Sequence, residues 1–416
     1  MNSEENMSNR KSFEGDLLLQ TKSNDENQNS EEFMAVVRQY HQMKPNLPPT
    51  FVKNVTLRLY GMTVVENQEL DSYDDFNYHI TVDQVINNDY INDFRPAGYV
   101  LKVLNYKDSQ NNNLIEAMHF VLNHLKRKSF PVQAFVSNVY GEMWSSETIV
   151  NKFSTKQTYI VSMMTYLEGK TMTSEQINPS SLYNIGIYAG LLQKALEDFD
   201  NDFLTKRENQ WDLLELPKLV KFTPALEHKE EFQLLKIIMT DFKKEVVPVL
   251  EHLTKVLIHG DLNDGNILVK EVMKRKNVQK EKTTYDIVGI IDFLDMQYSY
   301  TIVDIAILIA HMSAECTCMD PIDVGGHILA GYMTIKELTH NEKDILRLLI
   351  CSRLAQLIIL NEFTLLIDPH KKSVRLYLEN YKRIIWKFWK TSKTELYRRW
   401  DVVLRDNNIE NVFTIL

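Results

Sequence analysis

Three short apolar runs crowd into residues 255–292: KVLI (255–258), NILV (266–269) and YDIVGIID (285–292). Each is strand length and too short for a helix of its own. The polar segment HGDLNDGN (259–266) joins the first two runs. The stretches around them read as long amphipathic helices, such as SLYNIGIYAGLLQKALEDF and EEFQLLKIIMTDFKKEVVPVLEHL. The chain must therefore set a small strand insert, with carboxylates at its strand ends, inside a helical body.

The residue types at those ends suit phosphoryl transfer. That chemistry needs a carboxylate to orient an acceptor hydroxyl and take its proton. It also needs a carboxylate and an amide oxygen to hold Mg²⁺ on the nucleotide phosphates, and a lysine to offset phosphate charge. In the spacing H-x-D-x-x-x-x-N, Asp261 would be the base and Asn266 a metal ligand. Asn263, Asp264 and Gly265 supply the turn formers that curl the loop so both face one point. Asp292 follows an apolar run and would reach the same metal from a strand end. Hard oxygen donors without a His/Cys cluster favour Mg²⁺ over zinc. Upstream, Lys102 ends the strand string YVLK and Glu116 sits on the next predicted helix. A strand lysine held by a helix glutamate is one way to set a lysine against phosphates; a surface lysine and a solvated glutamate are the alternative.

The 416-residue chain reads as an α+β, two-lobed protein. Residues 1–32, rich in Asn, Ser, Glu and Asp, are expected to be a disordered tail. Residues 33–167 form a β-rich nucleotide-binding lobe with one main helix. It contains a hairpin around DSYDDF, strands at 98–105 and 158–167, and the helix LIEAMHFVLNHLKRK (114–128). Residues 168–170 would be the hinge, and 171–416 a helical lobe with the catalytic loop and substrate site. The lysine-rich segment 270–284 reads as a solvated loop between two strands. The apolar stretch from Ile345 carries Arg347, Arg353 and Glu362, so it reads as a buried helix and not a membrane span. A net charge of -9 argues against a nucleic-acid partner and is compatible with a cationic small molecule. Three cysteines do not make a disulfide framework, and the first residues lack a signal-peptide pattern, so a cytoplasmic setting is expected.

The strings SYDDFN (72–77), YVLK (99–102), LIEAMHFV (114–121), MTYLEG (164–169), HGDLNDGNIL (259–268), IIDFLDM (290–296), VGGHILAGY (324–332) and CSRLAQ (351–356) resemble the aminoglycoside phosphotransferase family of the protein-kinase-like fold. Three of them, SYDDFN, VGGHILAGY and CSRLAQ, resemble the group within it that phosphorylates 5-hydroxylysine. The resemblance implies Asp261 as proton acceptor, Asn266 and Asp292 as metal ligands, Lys102 on the phosphates and Glu116 positioning it. It implies Mg²⁺ and GTP (or ATP) as donor, with a small cationic amino acid as acceptor. Kinases of choline, ethanolamine, homoserine or a sugar amine, and an inactive nucleotide-binding module, are the competing readings. The oligomeric state stays open.

The chain departs from the kinase pattern in two places. DSYDDFN stands where a glycine-rich loop would cradle phosphates; Ser72 and Asn77 are left as donors there, with the aspartates expected outward or capping the turn. Leu294 replaces the glycine after Asp-Phe, so the turn after Asp292 is expected to be fixed. Asp295 could meet a second metal or a substrate ammonium, or cap a turn. Arg353 could clamp a substrate carboxylate or close a buried ion pair. Trp211 is a further substrate-site candidate, set against an ordinary core role. His259 is expected to be a structural hydrogen-bonder, and Asp304 a buried link to the catalytic loop.

Overall fold

Alternating apolar residues on either side of the DSYDDF turn build the expected hairpin, β1 (Met62–Leu70) and β2 (Phe76–Ile86), paired antiparallel. The computed structural model describes residues 33–37, 40, 45–151, 154–226, 228–272, 284–410 and 412–413. The expected tail at 1–32 and most of the lysine-rich segment, 273–283, lie outside the described residues. β3 (Tyr99–Val103), β4 (Trp144–Val150) and β5 (Lys156–Thr165) complete a five-stranded antiparallel sheet in the order β1-β2-β3-β5-β4. β3 is central and buried along its whole length, so Lys102 is carried into the interior opposite Asn77 of β2 and Ser162 of β5.

One helix in this part was not anticipated. α1 (Phe51–Tyr60) is a further helix in a part expected to hold strands and one main helix. Its buried residues, Val52, Val55, Thr56, Leu59 and Tyr60, recur at helical spacing. α2 (Asn112–Arg127) is the expected helix. Asn111 caps it, accepting from the Asn113 amide, and Ile115, Met118, Leu122 and Leu125 lie on its buried face.

The rest is mainly helical. α3 (Pro179–Leu196), a 3₁₀ stretch at Leu213–Leu226, α4 (Phe232–Asp241) and the short α5 (Val247–Leu250) precede the strand insert. There β7 (Val256–Ile258) pairs with β10 (Gln297–Ser299), while β6 (Lys170–Thr171), β8 (Ile267–Val272) and β9 (Thr284–Ile290) form a three-stranded sheet. α6 (Thr301–Glu315), α7 (Val324–Tyr332), α8 (His340–Ile367), α9 (Lys372–Lys390) and α10 (Lys393–Asp406) close the chain. α8 is the apolar stretch noted in the sequence. Its most apolar window is 78% buried within the protein, as a core helix would be.

α3 and α7 cross at glycines. A Cβ on Gly186 would lie 1.9 Å from the Ile328 carbonyl oxygen, and one on Gly331 would lie 1.8 Å from that of Tyr183. Backbone, which cannot swing aside, fills both spaces. Gly331→Ala is therefore expected to destabilise the protein by about 1–3 kcal/mol, read as a lower urea midpoint at unchanged slope. An unchanged midpoint would contradict this crossing.

Candidate active site

The loop after β7 is fixed from behind. Asp304, buried on α6, accepts hydrogen bonds from the backbone amides of His259 (3.1 Å) and Gly260 (2.9 Å). Burial pushes its carboxyl above the ordinary range, against the pull of His259 and these two amides. The His259 ring brackets two loops. Nδ1 accepts from the Asp261 amide at 3.2 Å and Nε2 donates to the Ile291 carbonyl at 3.1 Å. Both ring nitrogens are thus engaged, and the expected structural roles of His259 and Asp304 match these contacts. Gly260 has φ +82°, and a Cβ there would meet the Asp295 carbonyl oxygen at 2.3 Å. The loop and the turn after β9 therefore lie backbone to backbone.

Asp261 is held on both oxygens. Oδ2 accepts from Asn263 Nδ2 (2.9 Å) and Asn266 Nδ2 (3.0 Å), and Oδ1 accepts from Arg353 Nη2 (2.7 Å). Asn266 Nδ2 also donates to the Asp261 carbonyl at 2.9 Å. With its amide nitrogen so engaged, the Asn266 Oδ1 faces the other way, and no donor among the described residues is recorded against it. Arg353 is 1% exposed, and its Nη1 donates to Gln356 Oε1 at 2.8 Å. Of the two roles left open for Arg353, the structure has the buried ion pair. Its fork is committed to Asp261 and Gln356, so it is not a clamp waiting for a substrate carboxylate.

Asp292 adopts φ +61°, ψ +75°, a left-handed conformation that aspartate tolerates better than most residues. Leu294 follows within a 3₁₀ turn, Phe293–Asp295, and does not itself need positive φ. The Asp292 side chain is 41% exposed, facing the cleft, and its Oδ1 accepts from Lys102 Nζ at 3.1 Å. Burial opposes its charge, yet the Lys102 ammonium beside it holds the carboxyl below the usual range.

The expected partner of Lys102 is corrected here. Glu116 faces solvent on α2, because Ile115, Ala117 and Met118 take the buried side. Lys102 pairs instead with Asp75 (3.2 Å) and Asp292 (3.1 Å). Burial alone would weaken its hold on a proton, but the Asp292 and Asp75 carboxylates raise its pKa well above the lysine norm. Asn77 lies directly across from Lys102, and Asp75, two residues earlier, falls on the same side of the ribbon. Asp75 is therefore neither outward nor a turn cap. It is buried, and its Oδ1 accepts from the Asn105 amide (2.8 Å) and Asn105 Nδ2 (3.1 Å). Burial raises its carboxyl pKa, partly offset by Lys102. Ser72 spends its hydroxyl on the Asp75 carbonyl at 2.5 Å, and Asn77 Oδ1 is buried without a partner among the described residues.

Two adjoining cavities, of about 260 and 120 Å³, open beside these groups. The larger is lined by Asp261, Asp292, Asp295, Trp211, Arg353 and Tyr73, among others; the smaller by Ser72, Asp75, Asn77, Asn105 and Asn209. Asp295 and Trp211 line both. Asp295 accepts from Asn209 Nδ2 at 2.9 Å. Burial, then the nearby Asp261 carboxylate, pushes its carboxyl up to about 7, with Arg207 and Asn209 pulling the other way. Of the expected residues, Asp261, Asp292, Asp295, Trp211, Ser72, Asn77 and Arg353 line these cavities, Lys102 and Asn266 are bonded to Asp292 and Asp261 there, and Glu116 does neither. Asp75, Asn105, Asn209 and Tyr73 were not singled out beforehand. Strand register would have found Asp75, whereas nothing in the aperiodic run around Asn209 announces its place.

The sequence model of the phosphotransferase enzyme family matches residues 84–332. Hydroxylysine kinase of Mus musculus is 36% identical over 334 residues, covering 79% of this chain and 85% of the relative. That of Danio rerio is 31% identical over 362 residues, covering 86% and 96%. Among solved structures, an amicoumacin kinase superposes with TM-score 0.59 at 15% identity, covering 84% of this chain and 97% of its own. A microcompartment-associated aminopropanol kinase gives 0.57 at 13%, covering 88% and 100%. These two share the fold: a β-sheet N-terminal lobe on a helical C-terminal one, as in protein kinases. The chain belongs to the phosphotransferase enzyme family, as a phosphotransferase with an alcohol group as acceptor, and its relatives at 31–36% identity are hydroxylysine kinases.

Proposed function

We propose that the protein transfers the γ-phosphoryl group of GTP or ATP to the hydroxyl of 5-hydroxylysine, a step of lysine-degradation type metabolism. The observation that carries this reading is the convergence of Asp261 and Asp292 on one cavity with Lys102 bonded to Asp292. The names of its relatives supply the acceptor. In this reading residues 33–167 bind the nucleotide, 168–170 are the hinge, and 171–416 carry the catalytic loop and substrate site. A cytoplasmic setting suits three free cysteines.

Asp261 orients the acceptor hydroxyl and takes its proton as the new O–P bond forms and the bond from the γ-phosphorus to the β,γ-bridging oxygen breaks, releasing GDP or ADP. The grip of Arg353, Asn263 and Asn266 fixes its angle, so little reorganisation remains at the moment of transfer. Lys102 offsets charge on the phosphates. Asp292 and Asn266 Oδ1 would hold Mg²⁺, which would supply positive charge against that of the phosphates. These donors fit: they are hard oxygens, one of them open to the cleft. Among the described residues no group of three or more His, Cys, Asp or Glu forms a metal cage. Mg²⁺ commonly takes one or two protein oxygens and fills the rest with phosphate and water. Asp295, at the junction of the cavities, is suited to the ammonium of the acceptor.

The deciding experiment is a phosphate-transfer screen of 5-hydroxylysine, choline, ethanolamine, homoserine and sugar amines with both GTP and ATP. Turnover of 5-hydroxylysine above the others is expected; preference for another amino alcohol would overturn the acceptor, and no turnover the reading as a whole. Asp292→Ala is expected to lower kcat by about a hundredfold or more with little change in melting temperature. A near-normal rate would sink the metal assignment. The acceptor dependence should also titrate. Below about 7 Asp295 is protonated and offers no charge; above it the carboxylate receives the ammonium, so kcat/KM for the acceptor rises with pH through that value. This limb should vanish in Asp295→Asn, and its persistence would point to another group.

A further inference from the structure

The turn between β1 and β2 leaves the N-terminal sheet and lays one side chain on the helical half. The Tyr73 hydroxyl donates to the Leu360 carbonyl at 3.3 Å and is hydrogen-bonded to Thr364, both on α8. Its ring meets Trp211 edge to face at 5.2 Å, and Lys371 Nζ lies 4.4 Å from the ring centre while also donating to the Tyr73 carbonyl. Tyr73 lines both cavities, and Asp261 and Asp292 also line the larger. Two residues on, Asp75 of the same turn is bonded to Lys102.

We propose that Tyr73 is a specificity-determining residue of the acceptor site, an aromatic wall supplied by the nucleotide-side turn that limits the size of the amino alcohol admitted. This rests on the proposed phosphorylation of 5-hydroxylysine. With Trp211 it forms a two-ring corner beside Asp295. A carbon chain can lie against such a corner with its ammonium toward Asp295, since Lys371 already sits over the Tyr73 ring and Arg353 over that of Trp211. A group attached beyond the free amino acid would run into the Tyr73 ring. The ring is anchored at both ends, by Leu360 and Thr364 at the hydroxyl and by Lys371 at the backbone, so it resists being pushed aside. A tight aromatic wall discriminates by excluding atoms, and small differences in pocket filling change kcat/KM by about tenfold or more.

The test compares 5-hydroxylysine with the dipeptide 5-hydroxylysylglycine, which keeps both ammonium groups and adds bulk at the carboxyl end. Wild type, Tyr73→Phe, Tyr73→Leu and Tyr73→Ala are assayed with both acceptors, with thermal melting alongside. Wild type should prefer the free amino acid. Tyr73→Ala should cut that preference by about tenfold, mainly by lowering the KM for the dipeptide relative to that for the amino acid. Tyr73→Leu should fall between, which keeps the comparison available if the alanine variant folds poorly. Tyr73→Phe keeps the ring and should hold the preference within about twofold. An unchanged preference in Tyr73→Ala and Tyr73→Leu overturns the proposal, as does an equal fall in kcat on both acceptors with KM unmoved. Turnover of neither acceptor by wild type would instead remove the functional reading beneath it.

Discussion

A buried lysine between two carboxylates is the interaction on which the site depends. Lys102 arrives on the central strand of the sheet, Asp75 on the turn beside it, and Asp292 on the turn after β9 in the helical half. An unpaired buried ammonium would be costly, so its position calls for a carboxylate that stays beside it. Leaving such a group with no partner at all commonly costs several kcal/mol, about 3–5, because the charge is then uncompensated. Asp75 is itself satisfied by Asn105, which makes it the permanent partner. Asp292, more open to the cleft, is the acid able to turn toward another cation.

The second constraint is a loop whose backbone and side chains are both spoken for. Asp304 takes the amides of His259 and Gly260, His259 ties the loop to Ile291, and Arg353 with two asparagines holds Asp261. The contacts come from α6, from α8 and from the loop itself, so the carboxylate's direction follows from the packing of the two helices on the strand insert. Rotation of Asp261 would break a charge-assisted bond to a guanidinium that has almost no water access.

Local pattern made much of this legible. The hairpin, the Lys102 strand, α2 and the strand insert followed from period and turn chemistry, and the ordered series Lys102, Asp261, Asn266 and Asp292 lies around one cleft. What stayed hidden depended on pairing across the fold. Glu116 looked like the partner of Lys102 because it lies on the next helix, but the rotation of α2 turns it to water. Asp75 sits in a polar turn that reads as solvated until register places it beside Lys102. α1 was not singled out, although its buried residues recur at helical spacing. Arg353 could be assigned no partner from sequence, since Asp261 lies 92 residues away.

The left-handed backbone at Asp292 narrows what that position can hold. Asparagine would accept the same dihedral angles and lose the charge. Glutamate would keep the charge, but its longer stem carries a greater penalty in that region. Neither of the usual conservative replacements preserves both properties. Descendants of this chain that have given up catalysis while remaining folded would therefore be recognisable by asparagine or glycine at this one place.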